Sequence, residues 1–226
     1  VTAVDIVPSF EGTSMRLVWE NSVAGLPRQL KIPAIGAIFA ENALAALLAA
    51  IETGVSAADA ARALESCAPP AGRFEIVSKR PWIVVDYAHT PDALSRTLAT
   101  ARTLATRSGG RVAVVFGAGG GRDTGKRAQM GEAATAADCI VLTTDNPRNE
   151  DPRAITDAIR AGIASRPEVF IELDRSRAIT RAVREAGSDD VVVIAGKGHE
   201  QEQVVGAERR AFSDVEMAKW AVEKRG

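Results

Sequence analysis

Apolar and polar positions along this chain fall into two textures. Up to about residue 33 they come in short strand-length runs: Val4-Asp5-Ile6-Val7, Met15-Arg16-Leu17-Val18-Trp19 and Gln29-Leu30-Lys31-Ile32. Gly12, Asn21, Gly25 and Pro27 interrupt them, which is a hairpin pattern. An Ala- and Leu-rich stretch from about Glu41 to Thr53 predicts a helix that Gly54 stops. Ser56 is a suitable N-cap for a second helix ending near Ser66. Pro69-Pro70-Ala71-Gly72 then breaks the chain and predicts a domain boundary, with 1–72 on one side and 73–226 on the other.

From Arg73 onward the pattern alternates. Strands are predicted at Trp82–Asp86, Arg111–Phe116, Cys139–Thr143, Val169–Ile171 and Val191–Ala195, rich in Val and Ile on both faces. Helical stretches lie between them near 91–107, 126–137, 152–165 and 175–186, and a last helix begins after Ser213-Asp214. Continuous apolar strands alternating with helices predict an α/β fold, a mostly parallel sheet covered on both faces. Ligands of such sheets lie at the carboxyl ends of the strands.

Composition narrows the function. A formal net charge of −1 argues against a nucleic-acid or membrane surface, and 4% aromatics argue against a base-stacking platform. No stretch reaches the ~18 apolar residues of a membrane span, so no membrane insertion is expected. Cys67 and Cys139 are widely spaced and form neither a disulfide framework nor a metal motif; both are expected to be buried free thiols in a reducing cytoplasm. The chain opens on Val1, inside a strand-like run, and reads as a fragment of something longer.

The predicted strand ends carry the polar chemistry. They read Asp86-Tyr87-Ala88-His89-Thr90-Pro91, then Gly117 to Arg127, then Asp145-Asn146-Pro147-Arg148-Asn149-Glu150-Asp151-Pro152, then Gly196-Lys197-Gly198-His199-Glu200. An α/β sheet gathers these loops around one crevice, where carboxylates, guanidinium groups, amines and backbone N–H donors suit a zwitterionic or phosphate-bearing ligand.

Each loop also has a plain reading. Gly120 to Lys126 fits G-x-x-x-x-G-K, but Arg127 stands where a P-loop has Ser or Thr, and Arg122 replaces the third glycine of G-x-G-x-x-G. A turn alone would need glycine, but not the cluster Arg122, Asp123, Lys126 and Arg127, which is expected to face the crevice. Asp-Asn-Pro makes a good turn and Asp151-Pro152 a helix start, which leaves Arg148 unexplained. His89 and His199 both follow strands, but no convincing third metal ligand accompanies them.

The four loops, in this order, resemble the carboxyl-terminal domain of the Mur ligase family, in particular its diaminopimelate-adding MurE branch. Gly72-Arg73-Phe74-Glu75 is similar to that family's hinge, and the resemblance covers about residues 30 to 226. It implies that residues 1–72 are the end of a central ATPase domain and 73–226 a Rossmann-like terminal domain. The implied reaction is ATP-driven amide formation through an acyl phosphate, adding meso-diaminopimelate to a UDP-N-acetylmuramoyl dipeptide. Magnesium ligands, the Gly-Lys-Thr loop and the UDP-sugar site are expected upstream of Val1, so the fragment would not catalyse alone. A cytoplasmic monomer with small-molecule partners is implied.

By this resemblance, Asn42, Arg73, Asp86 and His89 belong to the nucleotide site, Asp86 as an acceptor for ribose hydroxyls. Lys126 sits by the transferring phosphate. Arg122, Asp145, Asn146, Arg148, Gly196 and Glu200 hold diaminopimelate. That ligand exceeds lysine by one carboxylate beside the far amine; Arg148 can clamp the carboxylate and Glu200 the amine. Two residues depart from the pattern: Phe39 stands where the family has asparagine, and Gly121 where it often has aspartate. The alternatives are a lysine-adding or folylpolyglutamate-type ligase of the same superfamily, or a non-catalytic amino-acid-binding module without the ATPase half.

Overall fold

A computed structural model describes residues 1–20 and 23–225; Asn21, one of the predicted turn residues, lies outside them. The chain divides into two compact units, Val1–Pro70 and Ala71–Gly226, within the predicted Pro69–Gly72 break.

The first unit is an antiparallel sheet, β1 (Thr2–Ser9), β2 (Gly12–Val18) and β3 (Gln29–Ile32), in that order, with helices α1 (Ala37–Glu52) and α2 (Ala57–Ser66). Period-two alternation in β2 sends Thr13, Met15 and Leu17 inward and Ser14, Arg16 and Val18 outward. Met15, Leu17, Leu30 and Ile32 pack with Ala40, Ala43 and Leu47 of α1 and Ala57, Ala60 and Ala61 of α2. The small alanines let the helices lie close to the sheet. Helix α1 starts four residues before the predicted Glu41, at Ala37, because buried Thr13 ties the preceding turn: its hydroxyl donates to the Ala34 carbonyl and accepts from Gly36 N–H. Ser56 caps α2 as expected, accepting from Asp59 N–H.

The second unit is built on a six-stranded sheet: β4 (Glu75–Lys79), β5 (Trp82–Asp86), β6 (Val112–Phe116), β7 (Cys139–Leu142), β8 (Glu168–Ile171) and β9 (Val191–Ala195). Their spatial order is β4-β5-β9-β6-β7-β8, parallel throughout except for β4, which runs antiparallel to β5 at the edge. Helices α3 (Pro91–Ser108), α4 (Lys126–Ala134) and α5 (Pro152–Arg160) pack in succession, with α3 over β9 and β6. On the other face α6 (Arg175–Glu185) and α7 (Asp214–Glu223) pack on Ile83, Val85, Val115, Val141, Val192 and Ile194. The α/β expectation therefore holds.

The helix starts are chemically encoded. Thr90, Asp151, Asp174 and Ser213 each accept a hydrogen bond from a first-turn N–H, and Pro91 and Pro152 occupy the first helical position. Gly109, left-handed at φ 77°, closes α3.

Three features differ from the sequence reading. Strand β4 was not predicted, because its half-buried edge position shows no apolar run. A hairpin, β10 (Glu202–Val205) and β11 (Glu208–Ala211), follows the Gly196–Glu200 loop and turns at Gly206-Ala207. Cys139 is buried as expected, and burial raises its thiol pKa, but Cys67 is exposed where α2 ends. Its small neighbours there lead into a proline-rich connection rather than into a core.

Candidate functional site

The loops after β5, β6, β7 and β9 leave the carboxyl edge of one sheet, and two ion pairs shape them, one fully buried and one partly exposed. Arg175 at the start of α6 and Asp214 at the start of α7 are fully buried and paired through two 2.7 Å bonds. The same guanidinium donates to the carbonyls of Thr144 (3.1 Å) and Ala195 (2.9 Å). It therefore clamps β7 and β9 immediately before Asp145 and Gly196. Arg127 pairs with Glu150 at 2.6 and 2.8 Å, and Glu150 also accepts from Gly121 N–H. Arg127 thus points into the protein and not into the crevice, correcting the expected loop cluster. Asp123 likewise accepts from Gly125 N–H and shapes the turn.

The loop from Asp145 to Arg148 is held by the unpredicted hairpin. Gln203 donates to the Asp145 carbonyl, Val204 N–H to Asn146 Oδ1, Arg148 N–H to the Val204 carbonyl, and Gly206 N–H to the Arg148 carbonyl. Arg148 sits at φ +52°, a left-handed conformation that costs a non-glycine residue of order 1 kcal/mol or more. These bonds hold it there. Its Nη1 donates to the carbonyls of Gly120 (2.8 Å) and Asn146 (3.4 Å). Its Nε and Nη2 have no partner among the described residues. That leaves one two-pronged edge of the guanidinium for a carboxylate.

Beside it, Asn146 Nδ2 donates to Glu200 Oε2 at 3.1 Å. Lys197, fully buried, donates to the same Oε2 at 2.9 Å and to Asn146 Oδ1 at 3.3 Å. Glu200 Oε1 has no partner among the described residues. Burial pushes the Glu200 carboxyl upward, but Lys197 and Asn146 outweigh it and hold the group below its ordinary pKa. Asp145 is buried, and desolvation raises its pKa against the pull of Arg175 and Lys197. Gly196 supplies the φ of +115° that turns the chain beside Asp145.

The chain's one tyrosine and both its histidines meet beside β5. Tyr87 stacks edge-on with His89 (4.6 Å) and tilted against His199 (5.4 Å), and Arg73 lies 4.2 Å over its ring. Gly72 and Gly198, both at positive φ, pass so closely that a Cβ on Gly72 would strike the backbone of His199. This brings Arg73 to the strand ends. His89 Nδ1 bonds the Tyr87 carbonyl, and Lys126 Nζ donates to the His89 carbonyl at 2.8 Å. Asp86 is buried and accepts from Phe74 N–H, Ala88 N–H and the Thr97 hydroxyl. Burial raises its pKa despite those donors. Arg122 stands exposed on the glycine loop without an intramolecular partner among the described residues. Asn42 lies exposed on α1 in the first unit.

The sequence model of the Mur ligase, glutamate ligase domain matches residues 72–198. The chain belongs to the Mur ligase family. It is 42% identical to a UDP-N-acetylmuramoyl-L-alanyl-D-glutamate–2,6-diaminopimelate ligase of Janthinobacterium sp. (strain Marseille), covering 99% of this chain and 44% of that protein. A ligase of the same name from Chromobacterium violaceum is 46% identical over 85% of this chain and 39% of its own length. Among solved structures, one of such a ligase superposes with TM-score 0.69 at 34% identity, covering 99% of this chain and 45% of that one. The chain spans less than half the length of these relatives. A Thermotoga maritima folylpolyglutamate synthase is alike in fold alone, with TM-score 0.59 and 20% identity over 84% of this chain and 42% of that one.

Within this Mur ligase domain the sequence reading missed Lys197, Tyr87, Gln203 and the pairs Arg127–Glu150 and Arg175–Asp214. Lys197 and Tyr87 lay inside motifs already singled out. Their single signal was an ionisable or aromatic side chain in a glycine-flanked or strand-end position. Gln203 and the two ion pairs carried no local signal, since their partners are remote in sequence.

Proposed function

We propose that this chain carries the amino-acid seat and part of the nucleotide site of an ATP-dependent ligase. The ligase would join meso-diaminopimelate to UDP-N-acetylmuramoyl-L-alanyl-D-glutamate in cytoplasmic peptidoglycan synthesis. One observation carries the reading. Asn146 links a guanidinium with a free two-pronged edge, Arg148, to a carboxylate with a free oxygen, Glu200. That pair matches a far ligand end bearing both carboxylate and ammonium; diaminopimelate carries both at each end, whereas lysine carries both only at its α end. The names of the similar ligases agree with it.

The residues present also fit part of a nucleotide site. Lys126 opens α4, whose N-terminus lacks a side-chain cap, and Arg73 lies on the same rim, so cations and free N–H donors are available to phosphate. When bound, ATP supplies the phosphoryl group that activates the substrate carboxylate. In this reading Lys126 neutralises charge at that carboxylate, while Arg148 and Glu200 orient the incoming amine. Asp86 has most of its lone pairs committed internally and would reach a ribose only through the remaining capacity of Oδ2. Among the described residues no three His, Cys, Asp or Glu side chains gather as a metal site, so magnesium is assigned to no residue here. No helix of the described residues is long and apolar enough to cross a membrane.

The test is calorimetric titration of the chain with meso-diaminopimelate and with L-lysine, in wild type and Arg148→Ala. Diaminopimelate is expected to bind more tightly than lysine by roughly tenfold or more, the cost of leaving a charged group unpaired. The variant is expected to erase that difference. Equal binding of the two amino acids by the wild type would remove the role given to Arg148.

A further inference from the structure

The Lys197 ammonium has three N–H donors and three oxygens around it. Glu200 Oε2 lies at 2.9 Å, Asn146 Oδ1 at 3.3 Å and Asp145 Oδ1 at 3.7 Å. The third is beyond hydrogen-bond length, and Asp145 Oδ1 is buried without any hydrogen-bond partner. Lys197 itself is wholly buried, while the Glu200 side chain keeps 35% of its surface exposed. One end of this small network is therefore fixed in the protein and the other reaches solvent.

The surrounding charges are few. Asp145 and Asn146 come from the loop after β7, and Glu200 and His199 from the loop after β9. Arg175 of α6 stands behind Asp145, with its charge already matched by Asp214 of α7. Lys197 is thus the one cation that touches both the Asp145 and the Glu200 carboxylates among the described residues.

We propose that Lys197 is the positioning residue of the amino-acid seat. Its buried ammonium pins Glu200 Oε2 and Asn146 Oδ1, so that Glu200 presents only Oε1 to the ligand's ammonium. The proposal rests on the reading of this seat given above and deepens it. Without Lys197, Glu200 loses its strongest partner and keeps only the Asn146 bond, and two carboxylates share a site with no cation between them. Asn146 loses one of the two donors that fix its side-chain amide, and with it the plane from which Nδ2 reaches Glu200. Lys197 touches no ligand in this account; it acts through Glu200 and Asn146.

The experiment uses the whole chain with selectively labelled glutamate carboxyls. Glu200 is titrated by NMR in wild type, Lys197→Met and Lys197→Arg, and each protein is then titrated calorimetrically with meso-diaminopimelate. In Lys197→Met the Glu200 midpoint is expected to rise above that of the wild type, and diaminopimelate binding to weaken on the order of tenfold, the loss of one charge-assisted bond. Lys197→Arg, which keeps the charge, is expected to restore part of the Glu200 shift. A Glu200 titration unchanged in a folded Lys197→Met overturns the proposal, because a packing role would leave that carboxyl alone.

Should Lys197→Met not fold, Glu200→Gln carries the test. Its loss of the anionic oxygen is expected to speed hydrogen exchange of the Lys197 ammonium, and unchanged exchange overturns the proposal equally. A shifted Glu200 with no diaminopimelate binding in any protein upholds the inference and removes the ligand reading. Binding with an indifferent Glu200 does the reverse.

Discussion

The two halves of the strand-end rim are built on opposite plans. Around Asp145, Asn146, Arg148, Lys197 and Glu200, most polar atoms are engaged within the protein. Among the groups left without a hydrogen-bond partner are one guanidinium edge of Arg148, Glu200 Oε1 and the buried Asp145 Oδ1. Around Arg73, Tyr87, His89, Arg122 and Lys126, the side chains are half-buried or exposed and loosely tied, with stacking and single hydrogen bonds in place of a network. A closed network fixes geometry before binding, which suits a small ligand recognised by charge placement. A loosely tied group of cations adapts to phosphate, whose charge is spread over several oxygens. Under the proposed function, selectivity would belong to the first half and transfer chemistry to the second.

Removing the clamp beneath the closed half should have the largest effect. Arg175→Met leaves Asp214 as an unpaired buried carboxylate and frees the carbonyls of Thr144 and Ala195. Breaking a buried pair from one side costs about 3–5 kcal/mol, and denaturant unfolding should show a loss of that size. A loss under about 1 kcal/mol, the scale of an ordinary surface pair, would mean that the two halves are not distinguished by rigidity.

The glycine loop offers a smaller and pH-dependent contrast. Its anchor, Glu150, is held at about 2 instead of 4.5, first by the Arg127 hydrogen bonds and then by Gly121 N–H. This pairing contributes its full stability above pH 4.5 and loses it as the pH falls through about 2. Arg127→Met should therefore be less stable than wild type near neutrality, with the gap closing between pH 4.5 and 2. Thermal unfolding across that window tests it; a gap independent of pH would assign the loss to packing of the Arg127 stem rather than to the pair.

The smallest expected change in stability belongs to Lys126. It makes a single hydrogen bond, to the His89 carbonyl, so Lys126→Met should alter unfolding free energy by no more than about 0.5 kcal/mol. Calorimetry should find diaminopimelate binding nearly unchanged, because the residue lies outside the closed network. A variant that lost diaminopimelate affinity along with Lys126 would join the halves that the geometry separates.

Much of this organisation is determined by sequence alone, because its causes are local. Val191–Ala195 is a strand by composition, Thr90-Pro91 and Asp151-Pro152 start helices by capping chemistry, and Gly109 stops one by conformation. The same locality places the four polar loops at strand ends, and their ordered motifs carry the family resemblance. The first unit's hairpins were equally legible, though the true start of α1 depended on Thr13, more than twenty residues away from Ala34 and Gly36.

Only tertiary structure decided what each polar side chain does in those loops. Arg127 sits among charged neighbours and read as a crevice residue, yet it pairs inward with Glu150, 23 residues on. Arg175 and Asp214 are 39 residues apart, and Asn146 meets Lys197 across 51. Which of two carboxylate oxygens remains free depends on donors brought in by such distant segments. The hairpin that holds Arg148 in a left-handed conformation lies beyond the motif it serves. Burial, pairing and charge are properties of the packed neighbourhood, and the chain writes that neighbourhood in no single stretch of sequence.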